Sequence, residues 1–303
     1  MKRMESVFFF ECENDSLLGV IAESGEPRGT GVVIVVGGPQ YRVGSHRQFT
    51  LLARRLAQAG VATLRFDYRG MGDSTGEPRR YEDIGADIRC AIDAFVVKVP
   101  GLQRVVLWGL CDGASAACFY APTDPRVKGL VLANPWIRTE QTEAQAYLKQ
   151  YYVRRFLDRD FWRKLSRGAF RIGPALRSLV GNVKAASIGR AQQDSGTAAT
   201  SLPSRVIGAI GAFHGRVLVL LSANDLVAAE FKGMMQTMPW KAMTTHAVVE
   251  SVNVDDANHT FSTAPWRDLV AEATAAWVGR HFPRQESEAV PQAGTGACVS
   301  AHG

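Results

Sequence analysis

The stretch RVVLWGLCDGASAACFYA, Arg104 to Ala121, carries the reading of the fold. An apolar, β-branched run ends at Trp108. Gly109, Cys111 and Gly113 then follow at intervals of two, and a run of small residues with helical character begins. A strand, a sharp turn and a helix in that order make a nucleophile elbow. The turn holds its central residue in a strained conformation, and only small neighbours let strand and helix pass so closely. The centre of the frame G-x-C-x-G is Cys111. The rivals are Ser115, a full turn into the helix, and Asp112, which fits only if the glycine frame is moved by one. The plain alternative is a buried structural thiol. A helix N-terminus and a neighbouring imidazolium favour a thiolate at Cys111, whereas the charge of Asp112 works against it.

Outward from the elbow, strands and helices alternate. VFFFEC and LLGVIA, joined by ENDS, predict two strands of a hairpin. GVVIVVGG (31–38) is a continuous β-branched run of the kind that suits a strand buried on both faces. HRQFTLLARRLAQAG places Phe49, Leu52, Leu56 and Ala59 at helical spacing, with Gly60 closing the helix. VATLRF, RVVLW, VKGLVLA, GRVLVLLS and THAVVESV predict further strands. IGADIRCAIDAFVVKV, GASAACFYA, AAEFKGMMQTM and the segment 265–281 predict helices. The fold class is therefore α/β, a mostly parallel central sheet with helices on both faces. Residues 1–136 form its first part and 205–283 its second. Between them, 137–204 has no convincing strand and reads as a helical lid insertion with a flexible, polar end. Residues 284–303 are poor in bulky apolar side chains and read as a disordered tail.

A base should come from a loop after the last strand, and VDDANHTFS supplies His259 there. His214 and His246 sit at strand starts, His281 ends a helix, and His302 lies in the tail. The orienting acid should follow the preceding strand, where Asp225 lies three residues beyond Ser222. Asp255 and Asp256 are alternatives. Backbone N–H groups for a developing oxyanion should come from Asp112 and from Gly38, or less readily Gln40, because Pro39 has no N–H. The same loop carries Tyr41 and His46 as candidate substrate contacts. DYRGMGDS (67–74) is glycine-rich but lacks the GK[ST] ending of a phosphate loop, and reads as a shaped turn supported by Asp67 and Arg69.

The order G-G-P-Q, D-x-R-G-x-G-x-S, G-x-C-x-G, the late Asp225 and the D-x-x-H of Asp256 to His259 resembles the α/β-hydrolase superfamily, in its serine-aminopeptidase-like branch. GGPQYRVGSHRQF together with GLCDGAS is similar, more narrowly, to the exosortase A system-associated hydrolase 1 group. The resemblance covers about residues 5–283 and implies an α/β-hydrolase fold with a Cys111–His259–Asp225 triad. It also suggests a bacterial exopolysaccharide and protein-sorting context. Cysteine in place of serine departs from the commoner superfamily pattern but is shared with members that resemble dienelactone hydrolase.

The bulk properties fit. Five cysteines without CxxC or zinc-ligand spacing argue for a reducing compartment. The apolar run in MKRMESVFFFECENDS is too short for a signal-peptide core, and no run approaches the ~20 residues of a membrane helix. The expectation is a cytoplasmic, soluble enzyme with no integral membrane segment. The net charge of +6 is mild, but residues 137–190 alone carry +8. Those charges, Arg154 and Arg155 among them, are either a solvated helix face or an attractor for an anionic substrate. Nucleic acid fits poorly, because Tyr147, Tyr151, Tyr152, Phe156, Phe161 and Trp162 share the segment. The expected reaction is cleavage of a small ester or thioester through an acyl-enzyme, with no metal or organic cofactor implied. Acyl transfer by the same cysteine, or a non-catalytic binding protein on this fold, are the alternatives.

Overall fold

The apolar run after Gly29 forms a strand, Thr30–Val35, in which every residue is buried. It lies in the middle of an eight-stranded sheet. The computed structural model describes residues 5–25, 29–38, 40–138, 201–245 and 248–283. The strands are β1 (Glu5–Cys12), β2 (Asp15–Ala22), β3 (Thr30–Val35), β4 (Thr63–Phe66), β5 (Arg104–Leu110), β6 (Val127–Ala133), β7 (Arg216–Ser222) and β8 (Val248–Val254). Their spatial order is β1-β2-β4-β3-β5-β6-β7-β8. The β1–β2 hairpin and the β2–β4 pairing are antiparallel, and all other pairings are parallel. The fold is the α/β-hydrolase fold.

The helices are α1 (Gln48–Gln58), α2 (Gly85–Lys98), α3 (Asp112–Tyr120), α4 (Leu202–Ala212), α5 (Leu226–Met234), α6 (Met238–Met243) and α7 (Ala264–His281). They cover both faces because successive strand residues point to opposite sides. Leu64, Val33, Leu107, Leu130 and Val217 are register partners across five strands and share one core with α2, α3, α4 and α5. Ile34, Trp108, Val131 and Leu218 form the row behind them and pack with α1 and α7. At the edge, β1 alternates, with Val7 and Phe9 exposed and Phe10 and Cys12 buried.

The order of strands and helices along the chain follows the sequence pattern, except that the one helix expected around 228–238 is two, α5 and α6. The differences are local. β5 runs two residues past Trp108, so Gly109 is still in the strand. α4 occupies the junction where the sequence suggests only the polar end of the insertion. Ser201 caps it, accepting from the Ser204 N–H at 3.4 Å, and Pro203 stands in its first turn. Residues 139–200 of the expected lid and the expected tail 284–303 lie outside the described residues. Among the described residues, no helix is long and apolar enough to cross a membrane.

The loop DYRGMGDS is a shaped turn. Fully buried Asp67 accepts from the backbone N–H of Arg42 (2.7 Å) and of Asp73 (3.0 Å) and pairs with the Arg42 guanidinium. Arg69, also buried, donates in a fork to Asp87, with Nε and Nη2 each at 2.9 Å. Such a pair in the interior is costly to desolvate, and its bidentate geometry offsets that cost while fixing orientation.

The tightest packing in the sheet is at the elbow. A Cβ on Gly113 would stand 2.5 Å from the Val35 carbonyl oxygen and 2.9 Å from the Gly37 nitrogen, both backbone atoms that cannot rotate away. Gly113→Ala is therefore expected to cost about 1–3 kcal/mol of stability, the range for overpacked cores. Gly208→Ala in α4, where a Cβ meets no atom of the described residues within 4 Å, is expected to stabilise by about 0.4–1 kcal/mol. Urea unfolding of the two variants checks both signs, and equal midpoints would remove the crossing as a constraint.

Candidate active site

Cys111 stands between the last residue of β5 and the first of α3, with φ 60° and ψ −126°. That conformation is strained for a residue with a side chain, and the surroundings hold it in place. Its N–H donates to the Ala133 carbonyl at 2.9 Å. Its own carbonyl accepts from Ala114 (3.0 Å) and from Trp136 (3.1 Å). The glycines of the frame explain how the chain turns there. A Cβ on Gly109 would meet the Ala114 nitrogen at 2.5 Å, and one on Gly113 would meet β3. Cys111 is partly exposed, whereas Cys118 is fully buried and its thiol is pushed far up by desolvation. Ser115 is buried and donates to the Trp136 carbonyl, so its hydroxyl supports the loop after β6.

His259 lies in the loop after β8, about a third exposed. Its Nδ1 is 2.8 Å from Asp225 Oδ2. Asp225 caps α5, accepting weakly from the N–H groups of Val227 (3.4 Å) and Ala228 (3.2 Å). Cys111 lies near enough to act on the same imidazole. Burial works against a charged imidazole, but the bond to Asp225 and the charge of its carboxylate, with a contribution from the neighbouring Cys111, outweigh it and raise the His259 pKa to about 10. An imidazole that keeps its proton at neutral pH is the partner a thiolate needs. The alternative acids do not compete: Asp255 and Asp256 are exposed, and the bond to His259 goes to Asp225.

Among the described residues, the bond to Asp225 is made by His259. His281 pairs with Glu250, and His46 is exposed in a one-turn helix, Ser45–Arg47. Tyr41 is exposed with the Arg42 guanidinium over its ring. Gln40 turns its side-chain carbonyl to the Ser45 N–H at 3.0 Å. His246, Arg154 and Arg155 lie outside the described residues.

Gly38, with φ +60°, and Asp112 carry the two N–H groups expected for an oxyanion hole, and both act on the nearby carboxylate of Asp112 itself. The Gly113 N–H joins them, 3.0 Å from Oδ1. Burial pushes the Asp112 pKa up, opposed by these three donors and by the charge of His259.

Two residues that sequence patterns did not single out fix the histidine loop. Asn134, at the end of β6 with φ 41°, donates from Nδ2 to the Ser222 hydroxyl (2.8 Å) and to the His259 carbonyl (2.9 Å). Its Oδ1 accepts from the Ser222 N–H (2.9 Å), and the Ser222 hydroxyl donates to the Asn258 carbonyl (2.9 Å). Both side chains are buried. The signal was a polar residue closing each of two apolar strands, VLAN and VLLS, which is too common to stand out alone.

Comparison with known proteins agrees with this architecture. A family model described as Serine aminopeptidase, S33, matches residues 27–239. Protein ABHD12B of Homo sapiens is 32% identical over 114 residues, 35% of this chain and 30% of that one. The polyketide transferase claH of Penicillium crustosum is 25% identical over 142 residues, 46% of each. The chain thus spans less than half the length of these curated relatives. Among solved structures, the Pyrococcus furiosus esterase Pf2001 superposes with a TM-score of 0.63 at 16% identity, over 92% of this chain and 91% of that one. A likeness at that identity carries the fold, and the family match spans β3, the elbow and Asp225. The chain belongs to the serine aminopeptidase S33 family of α/β-hydrolases.

Proposed function

We propose that the protein cleaves small carboxylic esters or thioesters through an acyl-enzyme on Cys111. One observation carries this reading: a strained cysteine at the strand–helix crossing acts on an imidazole whose Nδ1 is 2.8 Å from the Asp225 carboxylate. In the first step the Cys111 sulfur bonds to the carbonyl carbon, and the carbonyl π pair moves to oxygen. The oxyanion then collapses, expelling the alcohol or thiol, which takes its proton from His259. Water, losing a proton to His259, attacks the thioester and frees the acid and the thiol. Asp225 keeps Nδ1 protonated so that Nε2 faces the reaction. The N–H groups of Gly38 and Asp112 are the donors for the oxyanion.

Tyr41 and His46 are assigned to the substrate's contact surface, because the loop that carries them starts at Gly38. The cysteine pattern supports a reducing compartment, the cytoplasm. The exosortase-associated setting rests on GGPQYRVGSHRQF and GLCDGAS alone. A second reading, transfer of the acyl group to an alcohol or amine, is favoured by the similarity to a polyketide transferase. Products formed with and without added acceptors separate the two.

Exposure to a panel of activated esters and thioesters is expected to leave an acyl mass on the intact protein. Cys111→Ala is expected to lose both the adduct and turnover, and full activity in that variant would exclude Cys111 as nucleophile. Asp225→Asn is expected to lower kcat by orders of magnitude, as loss of an orienting carboxylate does. It is also expected to move the alkaline limb of the pH profile to lower pH. The sign follows from the hydrogen bond: Asp225 raises the His259 pKa, so without it the imidazolium that protonates the leaving group is lost sooner. If Asp225→Asn keeps the wild-type kcat and limb while Asp256→Asn collapses, the acid is Asp256.

The surplus charge of residues 137–190 supports anionic acyl substrates. Added salt is expected to lower kcat/KM for an anionic ester and to leave a neutral ester of the same acyl group nearly unchanged. Arg154→Glu with Arg155→Glu is expected to reproduce that selective loss. Equal salt responses would assign the charge to surface alone.

A further inference from the structure

The N–H groups that an acyl transfer needs are already in use. Asp112 Oδ1 accepts from the Gly113 N–H at 3.0 Å, and the N–H groups of Gly38 and Asp112 lie near enough to act on the same carboxylate. Space for that carboxylate exists because residue 37 is glycine: a Cβ there would stand 2.2 Å from Asp112 Oδ1. Beside it, no atom of the described residues lies within 4 Å of where a Cβ on Gly38 would be. The carboxylate follows directly after Cys111 in the chain and feels the charge of His259, so it belongs to the same small volume as the thiol and the imidazole. A carboxylate on two or three N–H donors imitates an oxyanion in charge and geometry.

We propose that Asp112 is an internal occupant of the oxyanion hole, which a substrate carbonyl must displace before Cys111 can acylate. This rests on the proposed acyl-enzyme chemistry. The carboxylate competes with the incoming oxygen for the same donors, so the competent enzyme is the fraction in which Asp112 has swung out. Apparent affinity for anything that forms an oxyanion is reduced by that fraction. Asp112 is then a specificity-determining residue. Small activated esters, which bring little binding energy from the rest of the molecule, displace it in only a fraction of encounters and so acylate Cys111 slowly. Substrates held along their length displace it well.

Removing the side chain leaves the Asp112 N–H in place and empties the hole. The test uses phenethyl trifluoromethyl ketone, to which a thiolate adds: the sulfur bonds to the carbonyl carbon and the π pair moves to the oxygen, giving a hemithioketal oxyanion. Iodoacetamide, which alkylates the thiolate without making an oxyanion, is the second probe. Alkylation of Cys111 is followed by mass spectrometry with and without the ketone, so one assay yields both the thiolate's reactivity and the ketone's dissociation constant from protection. Loss of a negative charge beside the sulfur changes both quantities, and vacating the hole changes only the second. Asp112→Ala is expected to tighten ketone binding at least tenfold beyond any change in the alkylation rate. Asp112→Ser carries the same expectation where the alanine variant does not fold. A dissociation constant that is unchanged, or that moves only by the alkylation factor, overturns the proposal. A ketone that fails to protect Cys111 in wild type and variants alike removes the acyl-enzyme reading itself, and this proposal with it.

Discussion

Three backbone segments pass one another closely at the carboxyl end of β3 and β5. Val35 to Gly37 approaches Gly113, and Gly109 approaches the first turn of α3, at distances that a single Cβ would violate. The rest of the site depends on that contact. It turns the chain at Cys111 into a positive φ, lifts the sulfur off the sheet and starts a helix immediately behind it. It also brings the Gly38 N–H level with the N-terminus of α3, where partial positive charge accumulates. A helix begun one residue later would face those donors elsewhere.

The second constraint is a polar clamp across the strand ends. A histidine loop after the edge strand would be free to move if only the Asp225 bond held it. Asn134 and Ser222 tie its backbone at Asn258 and His259 to the ends of β6 and β7. These side chains are buried and fully engaged, and a buried, satisfied polar network fixes geometry because breaking any one bond strands its partner. The Asp67 and Arg69 networks do the same for the loop after β4. The floor of the site is held by packing and its rim by hydrogen bonds.

Electrostatically, the site opposes two acids across one base. Asp225 and Cys111 hold His259 protonated, and the resulting positive charge lies near Asp112. Burial penalises the Asp112 carboxylate while backbone donors reward it. In the proposed reaction the same donors would seat the oxyanion, and a carboxylate one residue after Cys111 would then tie specificity to the chemistry.

Much of this was legible in the sequence. β-Branched runs closed by glycine fixed the buried strands, because a strand covered on both faces has no polar positions to spare. Gly109, Gly113 and the small residues behind them announced the elbow, because a close crossing permits few residue types. The chain order Cys111, Asp225, His259 followed from where loops fall after strands. What the linear pattern could not show is how side chains meet across the sheet. The choice of Asp225 over Asp256 depends on which carboxylate reaches Nδ1, and Asp256 is nearer in sequence but turned to solvent. Asn134 and Ser222 are 88 residues apart and become partners only because β6 and β7 lie side by side. The carboxylate of Asp112 was visible as a charge beside the thiol. That it sits on the N–H groups of Gly38 and Gly113 was decided by the fold, because hydrogen bonds between segments exist only once packing has set their distance.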